Sequence, residues 1–123
     1  MSLLDPALRR VIATGKTEFR PYDRFGKVVP GMTWLPLSRE SEDGGPGCFL
    51  IRFEPGGASR PHEHVETEEF LLLEGRLEDC DGRVFEAGDF VSYEAGSRHF
   101  SVSPEGCLIF VILRAPNRPL ETA

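Results

Sequence analysis

Apolar residues along this chain recur at every second position in short runs, and nowhere do they sustain a 3.6-residue period. In "CFLIRFE" (48–54), Phe49, Ile51 and Phe53 fall on one side, the alternation of a strand with one buried face. "MTWLPL" (32–37) reads as an edge strand because Pro36 has no N–H to give a ladder. "CLIFVIL" (107–113) is the longest apolar run and reads as a central strand. Turn chemistry separates these runs. "SEDGGPG" (41–47) predicts a mobile loop. "EPGG" (54–57) and "EAGD" (86–89) predict tight turns, and the Asp-Gly pair in "CDGR" (80–83) predicts a hairpin. "FVSYE" and "RHFSVS" come after as further short strands. Strands of this length and spacing predict an all-β sandwich or barrel. The one helical signal is Asp5-Pro6, which predicts a short capped helix over about 6–12.

A chain of 123 residues predicts a single domain. Its 40% hydrophobic content is enough for a core without disulfide staples. Twenty acidic residues against 14 basic ones give a net charge of −6. That balance argues against general affinity for nucleic acid or anionic membrane, both of which need a basic surface. It leaves room for one local basic pocket. No apolar run is long enough to span a bilayer, and "MSLLDPALRR" lacks the apolar core and cleavage site of a signal peptide. The three cysteines, Cys48, Cys80 and Cys107, are odd in number and widely spaced. Reduced thiols in a cytoplasmic protein are therefore expected. Cys48 and Cys107 sit in apolar runs and are expected to pack rather than react.

The candidate chemistry lies in "RPHEHVETEEFLLLEGRL" (60–77), which holds two of the three histidines. Burying such groups is costly unless something compensates them. In an unbroken strand His62, His64, Glu66 and Glu68 share a face, with the two imidazoles roughly 6.5–7 Å apart along it. They are placed to converge on one ion, with Glu68 supplying an oxygen. Glu66 is in phase but falls in the turn "VET". Glu69 is out of phase unless a bulge or turn at 65–67 changes the register. His99, the third histidine, opens "HFSVS" and shares a face with Ser101 and Ser103, which suggests a lined cavity rather than a dry core. A lone HxH more often belongs to a solvated strand. The phase match with Glu68, and a third histidine at a second strand entrance, favour a metal site instead.

These residues resemble a known family. Gly56, five residues, His62-x-His64, three residues, Glu68, six residues and Gly75 resemble the first cupin motif. Gly88, five residues, position 94, Gly96, two residues and His99 resemble the second. The resemblance implies a double-stranded β-helix, the jelly-roll cupin barrel, with metal ligands at His62, His64, Glu68 and His99. Two positions depart: Glu94 stands where the motif has Pro, and Ser103 where it has Asn. Neither is a ligand position. Residues 30–114 are similar to the ChrR-like cupin group, through the pattern HxHxxxEE…LEG…GSxH…PEGC. That group is named for a zinc-binding anti-sigma factor, whose sigma-binding half has no counterpart here, so anti-sigma activity is not implied. Some stand-alone relatives resemble a non-haem iron dioxygenase that cleaves β-diketones. The resemblance also implies a homodimer. It divides the chain into an N-terminal arm (1–30), a metal-binding core (31–114) and a C-terminal tail (115–123).

Three imidazoles and a carboxylate suit Fe²⁺ or Zn²⁺, with Mn²⁺, Ni²⁺ and Cu²⁺ as further options. A closed four-coordinate site would be structural zinc; a six-coordinate ion would leave two positions for water, dioxygen or a bidentate ligand. Arg60 shares the parity of His62 and is a candidate to face inward toward a small-molecule carboxylate, although a surface arginine near a strand start is the commoner case. Tyr93 is a candidate hydrogen-bond donor to substrate. Phe49 and Ile51, with Phe53, are expected to form the apolar wall. Glu69 is a candidate acceptor for a ligand imidazole N–H, and Arg98 an exposed turn residue. The leading expectation is a dioxygenase-like oxidoreductase acting on a small polar or dicarbonyl compound. The alternatives are a non-catalytic metal- or ligand-sensing module and a structural zinc cupin.

Overall fold

A computed structural model describes residues 3–120, so the first two residues of the expected arm and residues 121–123 of the expected tail lie outside the described residues. The strands, in chain order, are β1 (Arg20–Pro21), β2 (Met32–Pro36), β3 (Gly47–Phe53), β4 (Gly57–Ala58), β5 (His62–Glu63), β6 (Glu68–Asp79), β7 (Val84–Glu86), β8 (Phe90–Tyr93), β9 (Arg98–His99), β10 (Ser101–Ser103), β11 (Cys107–Leu113) and β12 (Arg118–Pro119). The larger sheet runs β1-β2-β3-β11-β6-β10-β4, with β7 and β8 also paired to β6, and the smaller runs β12-β5-β9. The pairings are antiparallel. The fold is the curled, all-β cupin barrel.

β6 organises the barrel. Its first half pairs with β11 and β8, and its second half with β7 and β10. The corner between the halves is made by two devices. Leu72 opposes Ile109 and Glu74 opposes Leu108, so Leu73 is an extra residue on the β6 side. Such a bulge bends a strand and re-aims the side chains beyond it. Two residues on, Gly75 has φ +83°, and a Cβ there would lie 2.1 Å from the Gly106 carbonyl oxygen. Only glycine fits that approach. Before the corner, Phe70 and Leu72 are buried; after it, Leu77 is buried. The inward parity has switched from even to odd.

The core fills the space behind the histidines. Phe49, Ile51 and Phe53 of β3 are buried with Trp34, Phe70, Leu72, Ile109, Val111 and Leu113. The Trp34 and Phe49 rings meet edge-on with centroids 5.6 Å apart. The Arg24 guanidinium stacks 4.3 Å from the Phe49 ring centre, and its Nη2 donates to the carbonyls of Gly44 (3.0 Å) and Gly45 (2.8 Å). Residues 20–29 are thereby fastened to the barrel, and they carry Tyr22 and Phe25 to its interior.

Three expectations change in detail. Asp5 does cap a helix, accepting from the Ala7 N–H at 3.0 Å, but the helix is a single 3₁₀ turn, Pro6–Leu8, and the backbone is extended by Arg9. The expected mobile loop at 41–47 instead contains a packed 3₁₀ turn, Glu40–Asp43. Ser41 is wholly buried there, its Oγ 2.8 Å from the Ser38 oxygen and 3.0 Å from the Cys48 oxygen. "RHFSVS" is not one strand but two, β9 and β10, broken at Phe100. Cys48 is half-buried, Cys80 exposed and Cys107 buried, and all three are free thiols. Among the described residues no helix is long and apolar enough to cross a membrane.

Candidate metal centre

The two-residue β5 pairs with β9 so that His62 lies directly opposite His99. His64 sits at the end of the pairing, where its N–H donates to the Ser97 carbonyl (2.9 Å) and its carbonyl accepts from Gly96 N–H (2.7 Å). The strand does not run unbroken to Glu68; a bend at 65–66 intervenes, and Glu68 opens β6 opposite Tyr93 and Leu113. The turn nevertheless returns Glu68 to the side of the histidines. His62, His64, Glu68 and His99 each present a ligand atom within 4.8 Å of the others. The three imidazole centroids are 4.7–5.0 Å apart. Glu66 is exposed in the bend, away from the cluster.

Each imidazole is held by its Nδ1. His62 Nδ1 lies 2.7 Å from the Arg60 carbonyl, an acceptor only, so this nitrogen carries the proton. His99 Nδ1 lies 2.7 Å from Asp79 Oδ1. His64 Nδ1 lies 2.8 Å from Ser97 Oγ, whose own hydrogen is committed to the Glu94 carbonyl at 2.7 Å. Ser97 therefore accepts from His64. All three rings are set to the same tautomer, which leaves every Nε2 with a free lone pair directed at the cluster. His64 Nε2 is buried with no hydrogen-bond partner, although Glu68 Oε2 is only 2.7 Å away. With the proton on Nδ1, this nitrogen and the carboxylate oxygen are both acceptors, so no hydrogen joins them. An unsatisfied buried polar atom is costly, and a cation among these ligand atoms would satisfy it. Ligands on a transition ion at about 2.0–2.2 Å span at most about twice that distance, close to the spread observed. The donor set fits a divalent transition metal.

Electrostatics favour the same states. Burial lowers the His62 pKa to about 4, more than its bond to the Arg60 carbonyl raises it, so the ring stays neutral and available. Burial pushes the Glu68 carboxyl up, but the neighbouring His64 and His62 rings, with the bond from Asn117, bring it below its ordinary value. Asn117 Nδ2 donates to Glu68 Oε1 at 3.2 Å. Burial likewise works against ionised Asp79, yet the bonds donated by His99 and Tyr93 hold its pKa at about 2.

Asp79 is the hub behind the cluster. Oδ1 accepts from His99, from Ser101 Oγ (3.2 Å) and from the Cys80 N–H (3.1 Å), and Oδ2 accepts from the Tyr93 hydroxyl (2.7 Å). Tyr93 also stacks on His64, with ring centres 4.9 Å apart and planes 17° apart, and lies 4.3 Å from His99. Its candidate role as a donor to substrate is therefore corrected: the hydroxyl is already given to Asp79, and the ring packs against two histidines.

A cavity of about 50 Å³ adjoins the cluster, walled by Ile51, Phe53, Phe70, Ile109 and Val111, with Tyr22, Phe25 and Tyr93 on other sides. Ile51 and Phe53 are thus wall residues as expected of the β3 face. Phe49 is not; it stands behind, packed between Trp34 and Arg24. Arg60 is exposed and does not face inward; it serves His62 through its carbonyl. Glu69 does not reach a histidine, because it points to the opposite face and accepts from Arg114 Nη2 at 2.6 Å. Arg98 is exposed and pairs with Glu63 at 2.8 Å.

Four contributors have no expectation attached in the sequence: Asp79, Ser97, Asn117 and Tyr22. Tyr22 lines the cavity, its hydroxyl makes no hydrogen bond among the described residues, and burial, then the Glu68 charge, raises its pKa. Ser97 carries a signal, since it sits between Gly96 and His99 in the second motif. Asn117 and Tyr22 lie outside both motifs.

The family model described as ChrR Cupin-like domain matches residues 9–116. No curated protein matches the chain. Solved structures similar to it include the polyketide cyclase RemF from Streptomyces resistomycificus, 20% identical over 94% of this chain and 87% of that one, with a TM-score of 0.72. An acetylacetone dioxygenase from Acinetobacter johnsonii is 15% identical over 98% and 82%, with a TM-score of 0.73. An RmlC-like cupin protein from Ralstonia eutropha is 19% identical over 91% and 72%, with a TM-score of 0.74. At 15–20% identity these likenesses are of fold.

Proposed function

We propose, from the premise that the chain belongs to the ChrR cupin-like domain family, that it is a metal-dependent oxidoreductase of the dioxygenase type acting on a small polar or dicarbonyl compound. The observation that carries this reading is the common tautomer: three pinned imidazoles, each with a free Nε2, converge with a carboxylate. His62, His64, His99 and Glu68 would hold the ion, Fe²⁺ for redox chemistry or Zn²⁺ for none. Such a cation supplies Lewis-acid polarisation of a chelating oxygen pair and, if redox-active, electrons for dioxygen.

The chain's own residues do the rest. The apolar walls exclude water and so strengthen each polar contact inside. Tyr22 keeps its proton and offers a free O–H to a ligand oxygen within the cavity. Asp79 and Tyr93 hold His99 and His64 in position, and Asn117 does the same for Glu68. A cavity of about 50 Å³ admits only a few non-hydrogen atoms, which points to a small reacting group. The likeness to an acetylacetone dioxygenase is of fold, and the dicarbonyl class is carried over as part of the proposal. Three free thiols are compatible with the proposed cytoplasmic location.

The test is oxygen consumption by the iron-reconstituted protein across a panel of β-diketones, β-keto acids and hydroxy-ketones. Substrate-dependent uptake that Glu68→Ala and His99→Ala abolish is expected; no uptake with any compound overturns the catalytic reading. The small cavity favours one second reading, in which zinc closes the site and the protein senses or is merely stabilised. In that case zinc removal lowers the melting temperature while no oxygen uptake exists to lose.

A further inference from the structure

Outside the histidine cluster lies a groove of about 550 Å³, lined by Phe25, Lys27, Val29, Arg60, Pro61 and Pro119 among others. It is an order of magnitude larger than the inner cavity of about 50 Å³. Phe25 borders both spaces, and its ring lies 5.8 Å from that of His62. One aromatic side chain thus forms a shared wall between the open groove and the histidines. Arg60 precedes His62 by two residues and fixes that ring through its carbonyl, so its backbone is tied to the cluster while its side chain is exposed.

Among the described residues, the charged side chains that line the groove are both positive. Lys27 and Arg60 are exposed, and neither has an ion-pair partner among the described residues. By contrast, Arg10, Arg98, Arg114 and Arg118 are each matched to a glutamate. Among the described residues no aspartate or glutamate lines the groove, although the chain has 20 acidic residues against 14 basic ones. A cationic pair in an otherwise apolar groove attracts and orients anions. The guanidinium presents a planar fork to a carboxylate, and the ammonium adds a point charge.

We propose that this groove is the entrance to the cavity and selects small carboxylate anions, whose charged end rests between Lys27 and Arg60 while the uncharged end passes Phe25 to the histidines. The proposal rests on the cavity being the reactive centre, and it narrows the ligand class of that centre from polar compounds to monoanions. The inner cavity is about 50 Å³ against about 550 Å³ for the groove, so the inner cavity takes the reacting end of a ligand. The remainder must extend into the groove, past a Phe25 side chain that turns aside. Exposed charge pairs are individually weak, and two acting on one carboxylate correspond to about a tenfold preference over a neutral analogue.

Acetoacetate and acetylacetone test this directly, because both carry a dicarbonyl unit and only the first is an anion at neutral pH. Zinc-loaded, isotopically labelled protein is titrated with each and followed by amide chemical shifts. Acetoacetate is expected to bind about tenfold tighter, with shifts concentrated at Phe25, Lys27 and Arg60. The variant Lys27→Gln/Arg60→Gln should lose that preference. Arg9→Gln/Arg83→Gln removes the same charge at exposed positions outside the groove and should keep it. No acetoacetate binding, equal binding of the two probes, shifts elsewhere, or equal loss in the control variant would overturn the proposal. Zinc content of the same samples separates the two readings. Full zinc without a preference defeats the groove alone, whereas a preference in protein that cannot hold zinc defeats the metal centre and leaves anion selection standing.

Discussion

Asp79 accepts four hydrogen bonds on two oxygens, from His99, Ser101, the Cys80 N–H and Tyr93, and an amide cannot replace it. Asp79→Asn would turn an N–H toward either the His99 N–H or the Tyr93 hydroxyl, leaving a buried donor facing a donor. Removing such a partner of a ligand histidine typically weakens metal binding about 10–100-fold. We expect that loss, with the fold retained, in competition against a chromophoric chelator; unchanged affinity would show that His99 needs no anchor. Glu68→Gln should cost less than His62→Ala or His64→Ala, because three imidazoles remain. His62 gives a pH signature in the metal-free protein. Its folded pKa, about 4, is below the usual 6.5, so between these values the unfolded chain binds the proton and the folded chain does not. Stability is therefore fully present above about pH 6.5 and falls as the pH drops toward 4, by about 3 kcal/mol at most. Asp79, with a folded pKa of about 2, adds a second loss as the pH falls from about 4 to 2. Urea unfolding across these windows checks both, and a flat profile from pH 7 to 4 would contradict the burial of His62.

At the scale of elements, β6 explains both what the sequence reveals and what it conceals. Convergence of His62, His64, Glu68 and His99 was legible, because motif spacing survives a local bend: the turn after His64 interrupts the strand yet returns Glu68 to the same side. Asp79 was not legible. By simple alternation from Glu68 through Phe70 and Leu72, an odd-numbered residue faces away. The extra residue at Leu73 and the turn at Gly75 reverse the parity, so Leu77 and Asp79 point inward. Alternation cannot register a bulge that the chain signals only by a glycine. Arg60 is exposed, the commoner case for an arginine at a strand start, because its parity holds only within a strand and β5 begins two residues later, at His62. The glycine itself is testable. Gly75→Ala would place a methyl group against the Gly106 carbonyl at positive φ, and should destabilise the protein by more than about 2 kcal/mol in chemical denaturation. A smaller loss would mean that the corner can relax.

Over the whole molecule, the inner face of the large sheet is committed to the core and the cluster, while part of its outer face remains apolar. Phe90, Leu73 and Ile112 are 58%, 42% and 39% exposed. They lie on β8, β6 and β11, which are neighbours in the sheet. We propose that a second copy of the chain covers this face, because an apolar sheet surface of this kind is a site for association. Light scattering should then give twice the 13.7 kDa chain mass, and Phe90→Glu/Ile112→Lys should return it to the single-chain value; a monomeric native protein would refute the dimer. Residues 20–29, expected as part of an arm, belong physically to the barrel, because Arg24 clamps them and Tyr22 and Phe25 enter the cavity. Sequence pattern gave little sign of this, since the clamp is a cation stacked on rings far away in the chain. Every functional statement depends on a cation at the meeting point of the three Nε2 atoms. The most direct measurement is elemental analysis of protein purified without added metal, then stripped and reconstituted, alongside the His62→Ala/His64→Ala variant. Close to one equivalent of a transition metal per native chain, and almost none in the variant, is the result expected. Full metal content in the variant, or none in the reconstituted native protein, would contradict it.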